Sequence, residues 1–220
     1  QNYLSSKKFW AASYLTHGGS DVFYPLLAWK ILGVESIGAA RTLNIFLILI
    51  LKLICILLSY QFTKITNLNR ETKILFFTVF TAVLISMSKY GFLGENYYFH
   101  HRDIFTILFI VLLIELFTYS KIRTLLTILI SLTATVSLLL HIDIGIYINF
   151  ILFFYCLYLL FAKKYNEIIL IFHSLIICWA IAISIMGFEE FKAFLENIIA
   201  AALAMDSVHG LKYPKPFFSI

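Results

Sequence analysis

The sequence is poor in the residues on which soluble domains and their loops depend. Only 13% of its 220 residues are charged, and it has 3 prolines and 9 glycines, whereas a soluble domain has about 25% charged residues. Hydrophobic residues make up 61% of the chain, and the mean hydropathy is +0.92. This composition excludes an ordinary soluble domain and indicates a polytopic membrane protein.

Cysteines are few and nucleotide-binding motifs are missing, which excludes several chemistries. The 3 cysteines all lie inside apolar runs, so they indicate neither a disulfide framework nor a set of metal ligands. The sequence contains no P-loop, dinucleotide-binding glycine pattern, nucleophile elbow or HExxH motif, so nothing in it supports chemistry driven by cytosolic ATP or NAD. The net charge of +5 is ordinary for a membrane protein with basic cytoplasmic loops and does not indicate nucleic-acid binding.

The hydrophobic pattern predicts an all-α fold with about six spans in a single transmembrane domain that covers residues 1–220. The spans lie within residues 43–187, and we place them at 43–61, 73–90, 104–119, 124–141, 144–162 and 167–187. The chain begins with Gln1 rather than Met. We interpret it as a fragment that lacks at least one upstream span.

Two flanking segments are predicted to carry amphipathic helices. Residues 1–42 form an outer juxtamembrane loop, in which a short helix runs from Leu26 to Leu32, has Pro25 in its first turn and ends at Gly33. Residues 188–220 form an outer helix and then an irregular segment from Asp206 onward. The apolar face of that helix is predicted to hold Phe188, Phe191, Leu195, Ile198 and Ile199.

Basic residues fall in alternate loops, which predicts how the chain is oriented. The positive-inside rule places three loops together in the cytoplasm, and their cations are Lys64, Arg70, Lys73, Lys121, Arg123, Lys163 and Lys164. The remaining loops then face outward, and they hold five of the 6 histidines. A polar site is therefore expected on the outer face.

A row of four polar residues, His100, His101, Arg102 and Asp103, stands at the mouth of the third predicted span. At the centre of a bilayer each charge would cost about 2.5–3.5 kcal/mol, so this row lies at a membrane surface or in a wet cavity. Arginine offers a two-point donor for a phosphate, and protonated histidines add to it. The row is thus a candidate substrate-binding site, or else it caps and anchors the span.

Two more candidate residues, His141 and Asp143, join two spans through a near-minimal turn. They are candidates for substrate binding, although Asp143 is also placed to cap the next helix. With His100, His101 and Asp103 they are also candidates for a divalent metal site, although the spacings match no known ligand motif.

Asp21 and Lys52 are the other ionisable residues of interest. Asp21 follows a glycine pair, where a carboxylate serves either as the general base for a sugar hydroxyl or as a turn former. Lys52 falls near the middle of the first predicted span, so it must snorkel, face a wet interior or pair with a carboxylate.

Three stretches of the sequence resemble a known family. They are the run from Tyr24 to Val34, the run from Ile37 to Arg41 that enters a span, and the later pair Arg102-Asp103 before another span. Together they resemble the C-type membrane glycosyltransferases (GT-C), in the protein-mannosyltransferase-like and aminoarabinose-transferase-like branch.

The resemblance implies transfer of a sugar from a polyprenyl-phosphate donor to a lipid, glycan or protein acceptor. The transfer would take place on the non-cytoplasmic face of a membrane, which we expect to be the bacterial inner membrane. The family's usual catalytic carboxylate would precede Gln1, and Val22 and Phe23 stand where some members carry a Glu-Lys pair.

Under this resemblance Arg102 holds the donor phosphate with help from His100 and His101. Asp21 and Asp103 are the candidate catalytic carboxylates, either for activating the acceptor hydroxyl or for orienting Arg102. Two other functions stay open. One is a transporter or flippase of a lipid-linked or small polar solute, which Lys52 favours. The other is a non-catalytic membrane scaffold subunit. No cofactor is predicted.

Overall fold

The chain is helical throughout the part that the computed structural model describes, which is residues 8, 10, 19–86, 101–118 and 122–208, with the backbone alone at 21, 101 and 201–208. These residues form eight α-helices and one 3₁₀ turn (His101–Asp103), and no strand occurs among them. The helices are α1 (Ser20–Leu32), α2 (Ile37–Ile65), α3 (Arg70–Ser86), α4 (Ile104–Thr118), α5 (Arg123–Leu140), α6 (Ile142–Phe161), α7 (Tyr165–Met186) and α8 (Phe188–Val208). The predicted all-α fold is confirmed.

Each of the six predicted spans coincides with one of the helices α2 to α7. Four of these helices, α2, α5, α6 and α7, are long and apolar enough to cross a membrane, so the chain is an integral membrane protein. The described parts of α3 and α4 have 17 and 15 residues, and the predicted second span continues to residue 90, outside the described residues. For α3 and α4 the assignment as spans stays a prediction.

The start of α1 differs from the prediction. The helix begins at Ser20 rather than at Leu26, because the carbonyl of Gly19 already accepts a hydrogen bond from the N–H of Phe23 at 2.8 Å. Pro25 therefore lies inside the helix instead of in its first turn. Proline has no N–H to donate, so α1 lacks one internal hydrogen bond at that position.

The end of α1 agrees with the prediction and leads into a tight turn. Gly33 has a left-handed φ of 67° and donates its N–H to the carbonyl of Trp29 at 2.9 Å, a conformation that glycine adopts without strain. Ser36 then caps α2, because its hydroxyl accepts the N–H of Ala39 at 3.1 Å. The indole N–H of Trp29 donates to the carbonyl of Ser36 at 2.9 Å and closes the turn.

The packed face of α8 also differs from the prediction. The helix continues through Asp206, which was predicted to begin an irregular segment. Its buried residues are Phe194 and Asn197, and Phe194 packs edge-on against Trp10 with ring centroids 5.0 Å apart. Three residues of the predicted apolar face are instead exposed, namely Phe188, Leu195 and Ile199. The other two residues of the predicted face, Phe191 and Ile198, do pack against the cluster that contains Trp10 and Phe194.

The helix α5 lies at the centre of the bundle and contacts α4, α6 and α7. Of the 18 residues of α5, 44% are buried, compared with 11% of the most apolar stretch of α7. Many of its buried side chains are small or polar, among them Thr127, Ser131, Ala134 and Ser137. Small side chains let neighbouring helix backbones approach closely.

The closest approach in the bundle is between α5 and α6 at Gly145. A Cβ atom added there would overlap the backbone of Leu138, so only glycine fits. The side-chain amide of Asn149 donates to the carbonyl of Ala134 across the helices at 3.1 Å and to the carbonyl of Gly145 at 2.8 Å. These contacts fix how α5 and α6 pack.

A hydrogen bond from the amide of Gln61 to the carboxylate of Glu115 links α2 to α4. The 3₁₀ turn before α4 also contacts α2. If α2 and α4 were antiparallel, the 3₁₀ turn would lie beyond the C-terminal end of α2 and could not contact it. The two helices are therefore parallel, with residue 61 beside residue 115. Glu115 is half-buried against the buried Gln61.

Candidate functional site

Polar segments from distant parts of the sequence meet at the junction between α5 and α6. The junction is a single residue, His141, and is therefore shorter than the predicted turn, which extended from His141 to Asp143. The N–H of Gly19 donates to the carbonyl of Leu139 at 3.0 Å, which brings the start of α1 to this place. The 3₁₀ turn delivers Arg102 to the first turn of α6, and α8 packs beside the same turn. These segments all belong to loops that we predicted to face outward.

His141 joins α1 to this junction. Its ring is 3% exposed, with Nδ1 at 3.2 Å from the hydroxyl of Ser20 and Nε2 at 3.1 Å from the hydroxyl of Tyr24. The ring of Phe105 lies beside it, with centroids 5.8 Å apart. Both ring nitrogens of His141 therefore have protein partners. This residue, which we predicted to bind substrate, connects α1 to the α5–α6 junction.

The phenol of Tyr24 is well suited to such a buried bond. Its side chain is 9% exposed, and burial raises the pKa of Tyr24 to about 12. The hydroxyl is therefore protonated at neutral pH and has both a donor and an acceptor to offer the imidazole. A neutral imidazole has one of each, so the chain of Ser20, His141 and Tyr24 can be satisfied with no buried charge.

Arg102 forms an ion pair with Asp143, at 3.1 Å between Nη1 and the Oδ2 atom of the carboxylate. The side chains are 43% and 32% exposed, so the pair lies at the surface of the bundle end. The prediction offered Asp21 and Asp103 as carboxylates that could orient Arg102, and the structure pairs Arg102 with Asp143. Asp143 is the second residue of α6, which has His141 as its N-cap and no side-chain cap bond, so the predicted cap by Asp143 is wrong.

Two atoms of this ion pair have unused hydrogen-bonding capacity. Within the described part of the chain, Arg102 Nε and Asp143 Oδ1 are buried and have no hydrogen-bond partner. One atom is a donor and the other an acceptor. A water molecule or a hydroxyl group would satisfy both atoms, because it can accept a hydrogen bond from Arg102 Nε and donate one to Asp143 Oδ1.

The structure describes the other candidate residues in part. Asp21 is the second residue of α1, and His101 belongs to the 3₁₀ turn, each with its backbone alone described. Asp103 ends that turn and is half-buried. His100 lies outside the described residues. Among the residues that the structure describes, no three His, Cys, Asp or Glu side chains form a group that could hold a metal ion.

Sequence reasoning missed several residues that build this end of the bundle. The backbone N–H of Trp10 donates to the carboxylate of Glu190 at 2.7 Å across 180 residues of sequence. Asn197 donates to the carbonyl of Trp10 at 3.4 Å. Ser20 and Tyr24 were likewise not singled out. No local pattern marks such contacts, because the partners lie far apart in the sequence.

Lys52 lies near the middle of α2, as the sequence indicated, and its level relative to Arg102 follows from the contact between α2 and α4. With residue 61 beside residue 115, the 54-residue offset places Arg102 beside position 48 of α2. Lys52 is then four residues, or about 6 Å, further along the bundle. Side chains of a helix tilt toward its N-terminus, which for α2 is the Arg102 end. Lys52 is half-buried.

The geometry as a whole can bind an anion. A half-exposed guanidinium stands at one end of the bundle, Asp143 orients it, and the half-buried Lys52 of α2 is a second cation about four residues further along the bundle. Comparison of the chain with protein-family models, with curated proteins and with solved structures finds no match.

Proposed function

We propose that this chain is part of a membrane glycosyltransferase that takes a sugar from a polyprenyl-phosphate-linked donor at the bundle end that holds Arg102. The observation that carries the proposal is the convergence of α1, the 3₁₀ turn and the α5–α6 junction around a half-exposed guanidinium. The acceptor is a lipid, glycan or protein. The reaction takes place on the non-cytoplasmic face of the bacterial inner membrane.

In this proposal Arg102 binds the donor phosphate through its planar two-point donor. Asp143 holds the guanidinium in position, and His100 and His101 add positive charge when protonated. The phosphate is the leaving group, so its negative charge grows as the glycosidic bond breaks. A fixed cation beside it stabilises that charge in the transition state.

A carboxylate is also needed to accept the proton of the acceptor hydroxyl. Asp21 and Asp103 are the candidates in this chain. Asp21 lies in the first turn of α1, the helix that Ser20 and Tyr24 connect to His141. Asp103 directly follows Arg102 in the 3₁₀ turn.

The substitution Arg102→Lys tests the proposal, because lysine keeps the charge but supplies a single donor point. We expect normal expression and insertion, with transfer from a polyprenyl-phosphate sugar lowered at least about tenfold, or about 1.4 kcal/mol of transition-state stabilisation. Asp103→Asn should cost less if this carboxylate only orients the guanidinium. The measurement is product formation by the full-length protein in membranes.

Arg123→Lys is the matched control. Arg123 also forms an ion pair, at 3.0 Å to Glu167, but on the α5 end remote from His141. It should leave turnover unchanged. Turnover by Arg102→Lys equal to that of the wild type would assign Arg102 to anchoring the helix at the interface.

Lys52 favours a second candidate function, a transporter or flippase of a lipid-linked or small polar solute. A half-buried lysine in an apolar helix is typical of a solute pathway. Vesicles that contain the purified protein and a labelled lipid-linked sugar, with no acceptor, separate the two functions. Movement of the intact lipid across the bilayer supports transport, whereas product that appears only after an acceptor is added supports transfer.

A further inference from the structure

The opposite end of the bundle contains a separate cavity at the turn between α6 and α7. Its volume is about 290 Å³, and it is lined by Lys163, Lys164, Tyr165, Asn166 and Glu167. The helix α6 has 20 residues from the His141 junction to this turn, which is about 30 Å of helix. That length equals the hydrocarbon thickness of a bilayer, so the cavity lies at the depth of the lipid head groups.

The charges around this cavity leave a positive surplus. The carboxylate of Glu167 already binds Arg123 at 3.0 Å and lies 3.8 Å from Lys164. Three cations therefore face one carboxylate. Lys163 has no carboxylate partner among the described residues, and its left-handed φ of 56° sets it in the bend of the turn.

Neutral donors add to these cations. The first N–H groups of α7, at Tyr165 and Asn166, have no acceptor within their own helix. Such groups favour a negatively charged ligand, and the helix dipole adds to the effect. The cavity thus combines two lysine side chains, an amide side chain and helix N–H groups, a set of donors that suits a phosphate.

Exposed aromatic residues line the cavity at Tyr165 or precede it in the last turn of α6. Phe161 is 82% exposed, Tyr165 is 54% exposed and Tyr158 is 52% exposed. Aromatic rings settle at membrane interfaces, where they contact both acyl chains and head groups. The ligand that matches both parts of this surface has an anionic head and an apolar tail.

We propose that the α6–α7 turn is a binding site for the phosphodiester head group of an anionic phospholipid from the adjacent leaflet. Lys163 and Lys164 contact the phosphate, the N–H groups of Tyr165 and Asn166 donate to it, and Phe161 and Tyr158 contact the acyl chains. The site lies at the far end of the bundle from Arg102 and does not depend on glycosyl transfer.

Titration with phosphatidylglycerol tests this site. The full-length protein is held in a neutral detergent, and bound lipid is counted by native mass spectrometry to give a dissociation constant. One basic residue near an anionic membrane contributes about 1 kcal/mol, or about a fivefold change in affinity. We expect Lys163→Gln/Lys164→Gln to weaken binding of phosphatidylglycerol by about 25-fold and to leave binding of phosphatidylcholine unchanged.

The double substitution Arg70→Gln/Lys73→Gln is the matched control, because it removes two cations from another loop predicted on the same side. It should change the affinity by less than about threefold, because neither residue lines the cavity. The variant Lys163→Arg/Lys164→Arg keeps the charge and should retain binding. Equal losses in the two Gln variants would show general surface charge instead of a site, and inorganic phosphate that displaces the lipid at equal concentration would overturn a lipid ligand.

Discussion

Replacing His141 should lower the free energy of unfolding by an amount that follows from its two buried hydrogen bonds. His141→Phe keeps a ring of similar size but removes both bonds, at 3.2 Å to Ser20 and at 3.1 Å to Tyr24. The two hydroxyls then stay buried, since Ser20 is 5% and Tyr24 is 9% exposed. An unsatisfied buried group costs about 1–3 kcal/mol, and hydrogen bonds inside membrane proteins average about 0.6 kcal/mol.

The expected loss in the free energy of unfolding from His141→Phe therefore lies between about 1 kcal/mol, for two bonds of average strength, and about 6 kcal/mol, for two fully unsatisfied hydroxyls. Reversible unfolding of the purified protein in mixed micelles, followed by circular dichroism while a denaturing detergent is added, measures this loss. His173→Phe is the control, because His173 is exposed on α7 and bonds only to the carbonyl of Ile169 in its own helix at 2.8 Å. Its effect should stay within about 0.5 kcal/mol.

A coupling measurement separates lost hydrogen bonds from a poor fit of the new ring. Ser20→Ala/Tyr24→Phe removes both hydroxyls, so adding His141→Phe to it should cost much less than His141→Phe does alone. Additive losses would show that the hydrogen bonds contribute little. A loss below about 0.5 kcal/mol for His141→Phe alone would refute the reasoning.

Three other predictions follow from described contacts and from the sequence. The free energy of unfolding should fall as the pH rises from about 10 to about 12. The pKa of Tyr24 is near 10 in the unfolded chain and about 12 in the folded protein, so the unfolded state loses the proton first. Tyr24→Phe should make the free energy of unfolding depend less on pH in this range. Gly145→Ala should destabilise the protein by at least about 2 kcal/mol in the same assay, since its Cβ meets the backbone of Leu138. Single cysteines at positions 67 and 96, in a background without native cysteines, should react with an impermeant thiol reagent from opposite sides of the membrane, and labelling from one side would contradict the predicted orientation.

The positions of the helices could be predicted because each depends on its own stretch of sequence. Apolar runs of about 18–20 residues predict helices, and Gly33 and His141 end them where the pattern stops. The start of α1 was missed because the Gly19 carbonyl, rather than Pro25, begins the helix. A proline in a sequence shows where a helix can begin, but it does not require the helix to begin there.

The candidate site could be predicted only as a set of residues on one side of the membrane. The arrangement of basic loops grouped Arg102, His141 and Asp143, and the structure brings them to one end of the bundle. The partners could not be predicted, since Asp143 is 41 residues from Arg102 and Ser20 is 121 residues from His141. Such pairs depend on how whole helices pack, and one sequence has no local signal for that.

The central position of α5 has a consequence for how the protein enters the membrane. Its mean hydropathy of 1.8 is the lowest among the four helices that can span a membrane. A translocon releases a segment into the bilayer when the segment is hydrophobic enough. If α5 entered the bilayer alone, its hydroxyl-rich face would be exposed to hydrocarbon. Only His141 separates α5 from α6, which has a mean hydropathy of 2.2. We therefore expect the two helices to leave the translocon together as a hairpin, with Asn149 already bonded to the carbonyl of Ala134.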